Sequence, residues 1–141
     1  YVVETLQTSG GGGEETETYQ VSFAGPLPIP DNQTQGVSAD VIADRSPAGR
    51  RVLALVDIDH SWKGDLRVSL VAPDGTEVVL HNRTGGSKDD VKGIYGLDLE
   101  SAEDMAPLSQ VTATGTWSLR VSDHARRDVG AIQSFQLQFA P

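Results

Sequence analysis

The chain has no cysteine, and this absence excludes both disulfide bonds and thiolate metal sites. It has no apolar run long enough to cross a bilayer, so we expect no membrane insertion. Basic residues are scarce, because 11 Lys and Arg stand against 20 Asp and Glu and give a formal net charge of −9. That balance argues against nucleic acid and anionic membranes as partners, since both select basic patches. An acidic surface is typical of secreted proteins and of proteins that bind divalent cations, and solubility alone also accounts for it.

The first 17 residues predict a flexible linker rich in Gly and Glu. The run SGGGG at positions 9–13 is followed by three glutamates before residue 18. Runs of Gly and acidic residues bury little apolar surface, so they gain little from packing. The chain also begins with Tyr1 in place of Met, and we therefore expect a piece of a longer protein. Residues 18–141 are left as one domain of ordinary size.

Eight short stretches of apolar residues predict β-strands. The two strongest flank a polar corner. Val52–Ile58 is apolar at almost every position, and Leu66–Ala72 alternates with one wet face. The other six stretches begin near Tyr19, Val37, Val78, Gly93, Trp117 and Phe135. Short strands separated by turn residues predict an all-β protein, either a sandwich or a barrel.

Two parts of the chain are expected to be irregular. Pro26, Pro28 and Pro30 lack a backbone donor, so the first strand is expected to end near Phe23. The segment 100–114 shows no sustained period, and we predict that it is mostly loop.

Antiparallel strands that cross a sandwich place successive loops at alternate ends. The loops after the first, third, fifth and seventh strands then share one end, which we call the near pole. Carboxylates that lie close together there repel one another unless a cation sits among them. The near-pole loops carry these acidic residues: Asp31, Asp57, Asp59, Asp65, Asp89, Asp90, Asp123 and Asp128.

The near pole therefore predicts a structural Ca²⁺ site, because oxygen ligands without Cys favour Ca²⁺ over Zn²⁺ or copper. The opposing interpretation is that these are solvated turn residues, since Asp is common in turns. The EF-hand pattern does not apply, because Trp62 stands where that loop requires Gly. The candidate ligands are Asp31, Asp65, Asp123 and Asp128, with Asp57, Asp59, Asp89 and Asp90 as less favoured alternatives.

No sequence motif supports the interpretation of this chain as a hydrolase. The chain has neither a Gly-x-Ser-x-Gly elbow nor an HExxH sequence. His60, His81 and His124 fall on near-pole corners beside ordinary turn serines. A catalytic triad is recognised by its geometry, and nothing in this sequence indicates one. We therefore predict no catalytic residues.

The two tryptophans receive different predictions. Trp117 lies on the inward face of its strand and is expected in the core. Trp62 lies at a corner, where it is either a hydrophobic plug or an exposed recognition residue. We favour the plug, because Trp is usually largely buried.

The corner and the later strands resemble a known family, the P domain, or P/homo B domain. This domain follows the catalytic domain of kexin- and furin-like proprotein convertases, and similar domains are attached to many bacterial subtilisin-like serine proteases and to some metalloproteases. The matching segments are Ile29–Asp31, Ile58–Leu66, Leu70–Thr76, Leu80–Arg83, Gly85–Ser87, Gly115–Asp123, and Gly130 with Ser134–Phe139. The structural signature within them comprises His60, Trp62, Gly64, Asp65 and Trp117.

The resemblance implies a jelly-roll antiparallel β-sandwich of about eight strands over residues 18–141. It also implies a non-catalytic C-terminal accessory domain of a secreted, bacterial, subtilisin- or kexin-like serine endopeptidase. Such a domain stabilises and helps to fold the catalytic domain of the same parent chain, commonly with Ca²⁺, and protein substrate is a second candidate partner. Two departures stand out. Lys63-Gly64-Asp65 replaces the Arg-Gly-Asp of the family and weakens an integrin-type interpretation, and residues 93–114 match poorly.

Two functions from other classes remain open. One is a free-standing module that binds polysaccharide or a protein substrate, and it requires exposed aromatic residues around Trp62 and Tyr95. The other is a structural spacer of an extracellular protein, which the Gly-rich leader would suit.

Overall fold

A computed structural model describes residues 17–126 and 130–141. The linker predicted for residues 1–17 lies outside these residues except for Glu17, and it stays a prediction. The described chain is all-β, as the alternating stretches predicted. Its strands are β1 (Tyr19–Ile29), β2 (Val37–Ala43), β3 (Arg51–His60), β4 (Leu66–Val71), β5 (Glu77–Asn82), β6 (Val91–Tyr95), β7 (Gly115–Asp123) and β8 (Gly130–Ala140). Two short 3-10 helices accompany them, at Lys63–Asp65 and Ala106–Gln110.

The strands form two four-stranded antiparallel sheets that pack face to face. One sheet has the order β1-β8-β3-β6 and the other the order β2-β7-β4-β5. Among the described strands, only β4 and β5 are consecutive and pair directly, so every other connection between these strands crosses from one sheet to the other. The strand orders β1-β8-β3-β6 and β2-β7-β4-β5 are those of an eight-stranded jelly roll, which confirms the predicted fold class.

The core lies between the inward faces of the two sheets. Alternate residues of each strand point inward, because side chains of a pleated strand project to opposite faces. Trp117 of β7 packs at 5.5 Å against Phe139 of β8, and Tyr19 of β1 stacks on the same Phe139 ring at 5.5 Å. The aromatic residues therefore join the two sheets near the end where β1 begins.

The first strand is longer than predicted. We expected the prolines to end it near Phe23, but β1 continues through Pro26 and Pro28 to Ile29. The reason is its position, since β1 is an edge strand and pairs only with β8 among the described strands. An edge strand tolerates residues that lack an N–H, and an irregularity between Ala24 and Leu27 accommodates the first proline.

The segment after β5 also departs from the prediction. The sixth strand lies at Val91–Tyr95 and not at 93–99. In the segment that showed no period, the 3-10 helix buries Leu108 completely between the sheets. Ahead of it, Ala102 and Glu103 donate backbone hydrogen bonds to Leu80 and Val79 of β5. This segment therefore covers the free edge of β5, which would otherwise be open to pairing with another chain.

Among the described residues, no helix is long and apolar enough to span a membrane.

Candidate functional site at the near pole

The strand register gathers the four predicted loops at one end of the sandwich. His60 at the end of β3 lies opposite Gly130 at the start of β8, and Leu66 at the start of β4 lies opposite Asp123 at the end of β7. Val91 at the start of β6 pairs with Ile58 of β3. The near pole therefore exists as predicted, although the connection after Asp123 is described only for residues 124–126.

A buried His–Asp pair lies at the centre of the near pole. His60 Nε2 lies 3.0 Å from Asp123 Oδ2, and the two residues are 2% and 0% exposed. His60 Nδ1 accepts a hydrogen bond of 3.1 Å from the backbone N–H of Trp62. Because Nδ1 is the acceptor, the ring hydrogen resides on Nε2, which donates to the carboxylate. The second oxygen of Asp123 accepts the N–H of Ala125 at 3.0 Å.

The backbone of His60 is held as firmly as its side chain. Its N–H donates to Asp90 Oδ1 at 2.9 Å, and its carbonyl accepts the N–H of Asp90 at 2.9 Å. On the opposite side, a Cβ at Gly130 would lie 2.1 Å from the carbonyl oxygen of Asp59 and 2.8 Å from the His60 ring. Only glycine fits this close approach. The pair therefore ties together the ends of β3 and β7, the start of β8 and the loop before β6.

The segment Lys63–Asp65 closes the corner between β3 and β4. Lys63 and Gly64 donate backbone hydrogen bonds to the carbonyls of Lys88 and Gly86, at 2.9 and 3.0 Å. A Cβ at Gly64 would lie 2.9 Å from the backbone of Gly86, so the signature glycine permits this contact between the two loops. His81 Nε2 lies 2.8 Å from the carbonyl of Lys63, and burial lowers the pKa of His81.

Three of the alternative calcium ligands surround a lysine. The Nζ atom of Lys92 lies 3.6 Å from Asp57 Oδ1, 3.4 Å from Asp59 Oδ1 and 3.8 Å from Asp90 Oδ2. These carboxylates, Asp57 foremost, raise the pKa of Lys92. The cation among them is therefore an ammonium group of the protein itself. Sequence reasoning missed Lys92, because the pairing of Lys92 with Asp57 depends on the register of β3 and β6.

The four favoured calcium ligands occupy different environments. Asp31 is exposed after β1, Asp65 is buried at the corner, and Asp123 is paired with His60. Asp128 lies outside the described residues, and Asp89 is exposed in the loop before β6. Within residues 17–126 and 130–141, no group of three or more His, Asp or Glu side chains is arranged to hold a metal ion. The predicted ligand set, which includes Asp128, stays a prediction.

The tryptophan predictions had different outcomes. Trp117 is fully buried, as expected, and its Nε1–H has no acceptor in the part of the chain that the structure describes. Trp62 is 44% exposed, so the prediction of a hydrophobic plug was wrong. The residue buried at this corner is His60, whose Nδ1 accepts a hydrogen bond from the backbone N–H of Trp62. Tyr95 is buried, and burial raises its pKa to about 12.

Comparison with known proteins identifies the family. The family model of the proprotein convertase P-domain matches residues 49–139, and the chain belongs to this family. Leupeptin-inactivating enzyme 1 of Streptomyces exfoliatus is 34% identical over 98% of this chain and 30% of its own length. A calcium-dependent protease of Nostoc sp. is 38% identical over 79% of this chain and 17% of its own length. The transglutaminase-activating metalloprotease of Streptomyces mobaraensis is 35% identical over 96% of this chain and 16% of its own length.

A solved structure supports the fold independently. The serine protease of Aeromonas sobria superposes with a TM-score of 0.59 at 20% identity, over 87% of this chain and 26% of that chain. At this identity the likeness concerns the fold alone. The chain thus spans less than a third of the length of these relatives.

Proposed function

We propose that this domain is the non-catalytic accessory part of a secreted protease and packs against the catalytic domain of the same parent chain. The observation that carries the proposal is the share of length, since the matched segment makes up 16–30% of the relatives, two of which are named proteases. Family membership favours a subtilisin- or kexin-like serine endopeptidase as the parent, and the related metalloprotease makes a metal-dependent parent the second candidate. The relatives from Streptomyces and Nostoc favour a bacterial source, and the extracellular setting is proposed from the family resemblance.

The histidine contacts support a structural role. Both ring nitrogens of His60 are engaged, by Asp123 and by the Trp62 backbone, so neither nitrogen can serve a nucleophile. The Nε2 atom of His81 lies within hydrogen-bond distance of the backbone carbonyl of Lys63. His124 Nε2 contacts Ser122 Oγ at 2.7 Å, but Ser122 is a nearly buried residue of β7. A nucleophile must reach a substrate, and this serine is poorly placed to do so.

The proposal is tested by comparing the full-length gene product with a form that ends before residue 18. We expect the truncated protease to give a lower yield of active enzyme and a lower melting temperature, because it loses a stabilising partner. A full-length Asp123→Ala variant provides the matched control, since it keeps the chain length and weakens only the accessory domain. Unchanged yield, melting temperature and activity after truncation would refute the accessory role.

We also propose that the domain binds a structural Ca²⁺ ion. The support is the donor chemistry of Asp31, Asp65, Asp123 and Asp128, together with the relatives named calcium-dependent proteases. A native-state ligand at a hundredfold excess over its Kd adds about 2.7 kcal/mol to the free energy of unfolding. We expect the melting temperature to rise by several degrees in Ca²⁺ relative to EDTA at equal ionic strength. Asp31→Asn should remove the rise and Asp59→Asn should keep it, while identical melting in Ca²⁺ and EDTA would remove calcium from the proposal.

A second candidate function is a binding module for protein or polysaccharide substrate. The observation that favours it is the exposed ring of Trp62, although the burial of Tyr95 removes the second aromatic residue that this interpretation required. Retention on insoluble substrate that Trp62→Ala abolishes and Leu97→Ala preserves would favour the module. Leu97 is the control because it is also exposed and apolar.

A further inference from the structure

The charges of the near pole are divided between the two sheets. The carboxylates around Lys92 lie on the β1-β8-β3-β6 sheet or the loop that enters it. The other sheet carries a group of basic side chains, which we call the basic edge. It consists of Arg67 of β4, Arg83 after β5, Arg120 of β7, and His124 after β7. A chain with a net charge of −9 therefore gathers positive groups on one side of one pole.

The strand register brings the basic edge together. Arg67 lies opposite Ser122 and Ser69 lies opposite Arg120, so the two arginines are diagonal neighbours on the outer face. Arg83 is fixed beside them, because its backbone N–H donates to the carbonyl of Leu66 at 2.8 Å.

His124 is anchored to the same place from two directions. Its backbone N–H donates to the carbonyl of Asp65 at 2.8 Å, and its Nε2 contacts Ser122 Oγ at 2.7 Å. Besides burial, the guanidinium groups of Arg83 and Arg67 lower the pKa of His124. The positive groups are therefore close enough to repel one another.

Part of this charge is already engaged, because Arg120 Nη2 donates to the carbonyl of Gln35 at 3.4 Å and the exposed Asp40 is a diagonal neighbour of Arg120 on the outer face. Asp123 is buried and committed to His60, and Glu77 lies 3.9 Å from Arg67 in an exposed pair. Exposed pairs of this kind contribute little. The guanidinium of Arg83 has no hydrogen-bond or ion-pair partner among the residues that the structure describes.

We propose that the basic edge binds a carboxylate-bearing polypeptide segment, meaning a short stretch of Asp or Glu supplied by a partner protein. Guanidinium groups bind carboxylates through paired hydrogen bonds, and exposed arginines on adjacent strands present several such donors. A long polyanion such as nucleic acid is disfavoured, because it would also meet the acidic half of the same pole. This inference does not depend on the parent protein being a protease.

The test uses an acetylated, amidated hexaglutamate peptide as the probe and the chain of residues 1–141 as the target. Nuclear magnetic resonance follows the His124 ring and the backbone amides during the titration. We expect shifts confined to the basic edge and a rise in the pKa of His124, because a bound carboxylate stabilises its protonated form. Affinity should fall by about tenfold or more when salt is raised well above the physiological range.

Paired variants decide whether the proposed residues are responsible. We expect R67Q/R83Q to weaken peptide binding by about tenfold, which corresponds to about 1.4 kcal/mol, because two charge-assisted contacts are lost. The control R45Q/R51Q removes the same charge at the opposite pole and should leave binding unchanged. Arg45, Arg51 and Arg83 are exposed and Arg67 is half-buried, and matching thermal unfolding of the two variants verifies that folding is intact.

Three outcomes would overturn the proposal. They are no titration at millimolar peptide, equal weakening by both variant pairs, and tighter binding of a single-stranded oligonucleotide of the same charge at the same residues.

Discussion

The buried pair of His60 and Asp123 gives the sharpest prediction about stability. Asp123→Ala removes the acceptor of the His60 Nε2–H and the acceptor of the Ala125 N–H in one step. A hydrogen bond to a charged group contributes about 1.5–3 kcal/mol, and a backbone bond contributes about 1 kcal/mol. We therefore expect the free energy of unfolding to fall by about 3 kcal/mol.

That loss is large for a domain of this size. A change of 1 kcal/mol moves the melting temperature by roughly 3–4 °C at a length between those of small and large domains. The variant should therefore melt about 10 °C below the parent chain. Urea titration should show a lower midpoint with an unchanged slope, because the surface exposed on unfolding is the same.

Two further variants refine the reasoning. Asp123→Asn keeps the shape but replaces one oxygen with an amino group, so one of the two acceptors is lost and about half of the effect remains. Asp89→Asn changes an exposed carboxylate of the same pole and should lie within about 0.5 kcal/mol of the parent. All measurements are made in EDTA, which separates the contribution of the pair from that of any bound calcium. A loss below about 1 kcal/mol for Asp123→Ala would refute the argument that this pair stabilises the near pole.

Three other predictions concern the ionisable side chains of Tyr95, His81 and Lys92. Burial raises the pKa of Tyr95 to about 12, whereas an unfolded tyrosine ionises near 10. As the pH rises, Tyr95 loses its proton in the unfolded state before it does so in the folded state. The free energy of unfolding should therefore fall between about pH 10 and 12, by up to about 2.7 kcal/mol. Tyr95→Phe should abolish this fall in alkaline urea titrations. Burial lowers the pKa of His81, so the unfolded state takes up its proton first as the pH falls below about 6.5. Stability should decrease across that window, and His81→Gln should flatten the decrease, while a slope unchanged in the variant would contradict the assignment. Lys92→Met leaves Asp57, Asp59 and Asp90 without their ammonium group, so its melting temperature should fall most at low ionic strength, whereas Lys88→Met serves as the exposed control.

Much of the fold could be predicted from the alternation of apolar residues. Val52–Ile58 and Leu66–Val71 carry enough apolar residues at the right spacing to indicate strands, and antiparallel crossing then fixed the near pole. The prolines misled the prediction, because their effect depends on whether a strand lies at an edge, and only the assembled sheet shows this. The 3-10 helix at 106–110 escaped notice because it inserts a single large apolar side chain, Leu108, which has no period to detect.

The candidate site was predicted by location and not by contacts. The sequence placed Asp123 and His60 at the same pole, but they are 63 residues apart, and no local pattern indicates that they pair. The alternation of loops placed eight acidic residues at this pole. The structure places Lys92 among three of the acidic residues and places Arg67 and Arg120 on the other sheet, since register decides which charges become neighbours.

The position of β8 has a consequence for how the protein folds during synthesis. This strand lies between β1 and β3, and both of those strands leave the ribosome long before it does. Their sheet cannot be completed until residues 130–140 are available. Among the described strands, Tyr19–Ile29 has no partner before that point, whereas Arg51–His60 can pair earlier with β6. Of the described strand pairs, only the hairpin of β4 and β5 can form from local contacts. A fold dominated by such distant pairings forms slowly, and its unpaired strands are exposed to aggregation meanwhile. The nascent domain can therefore reach its native structure only after β8 has been synthesised and has paired with β1 and β3.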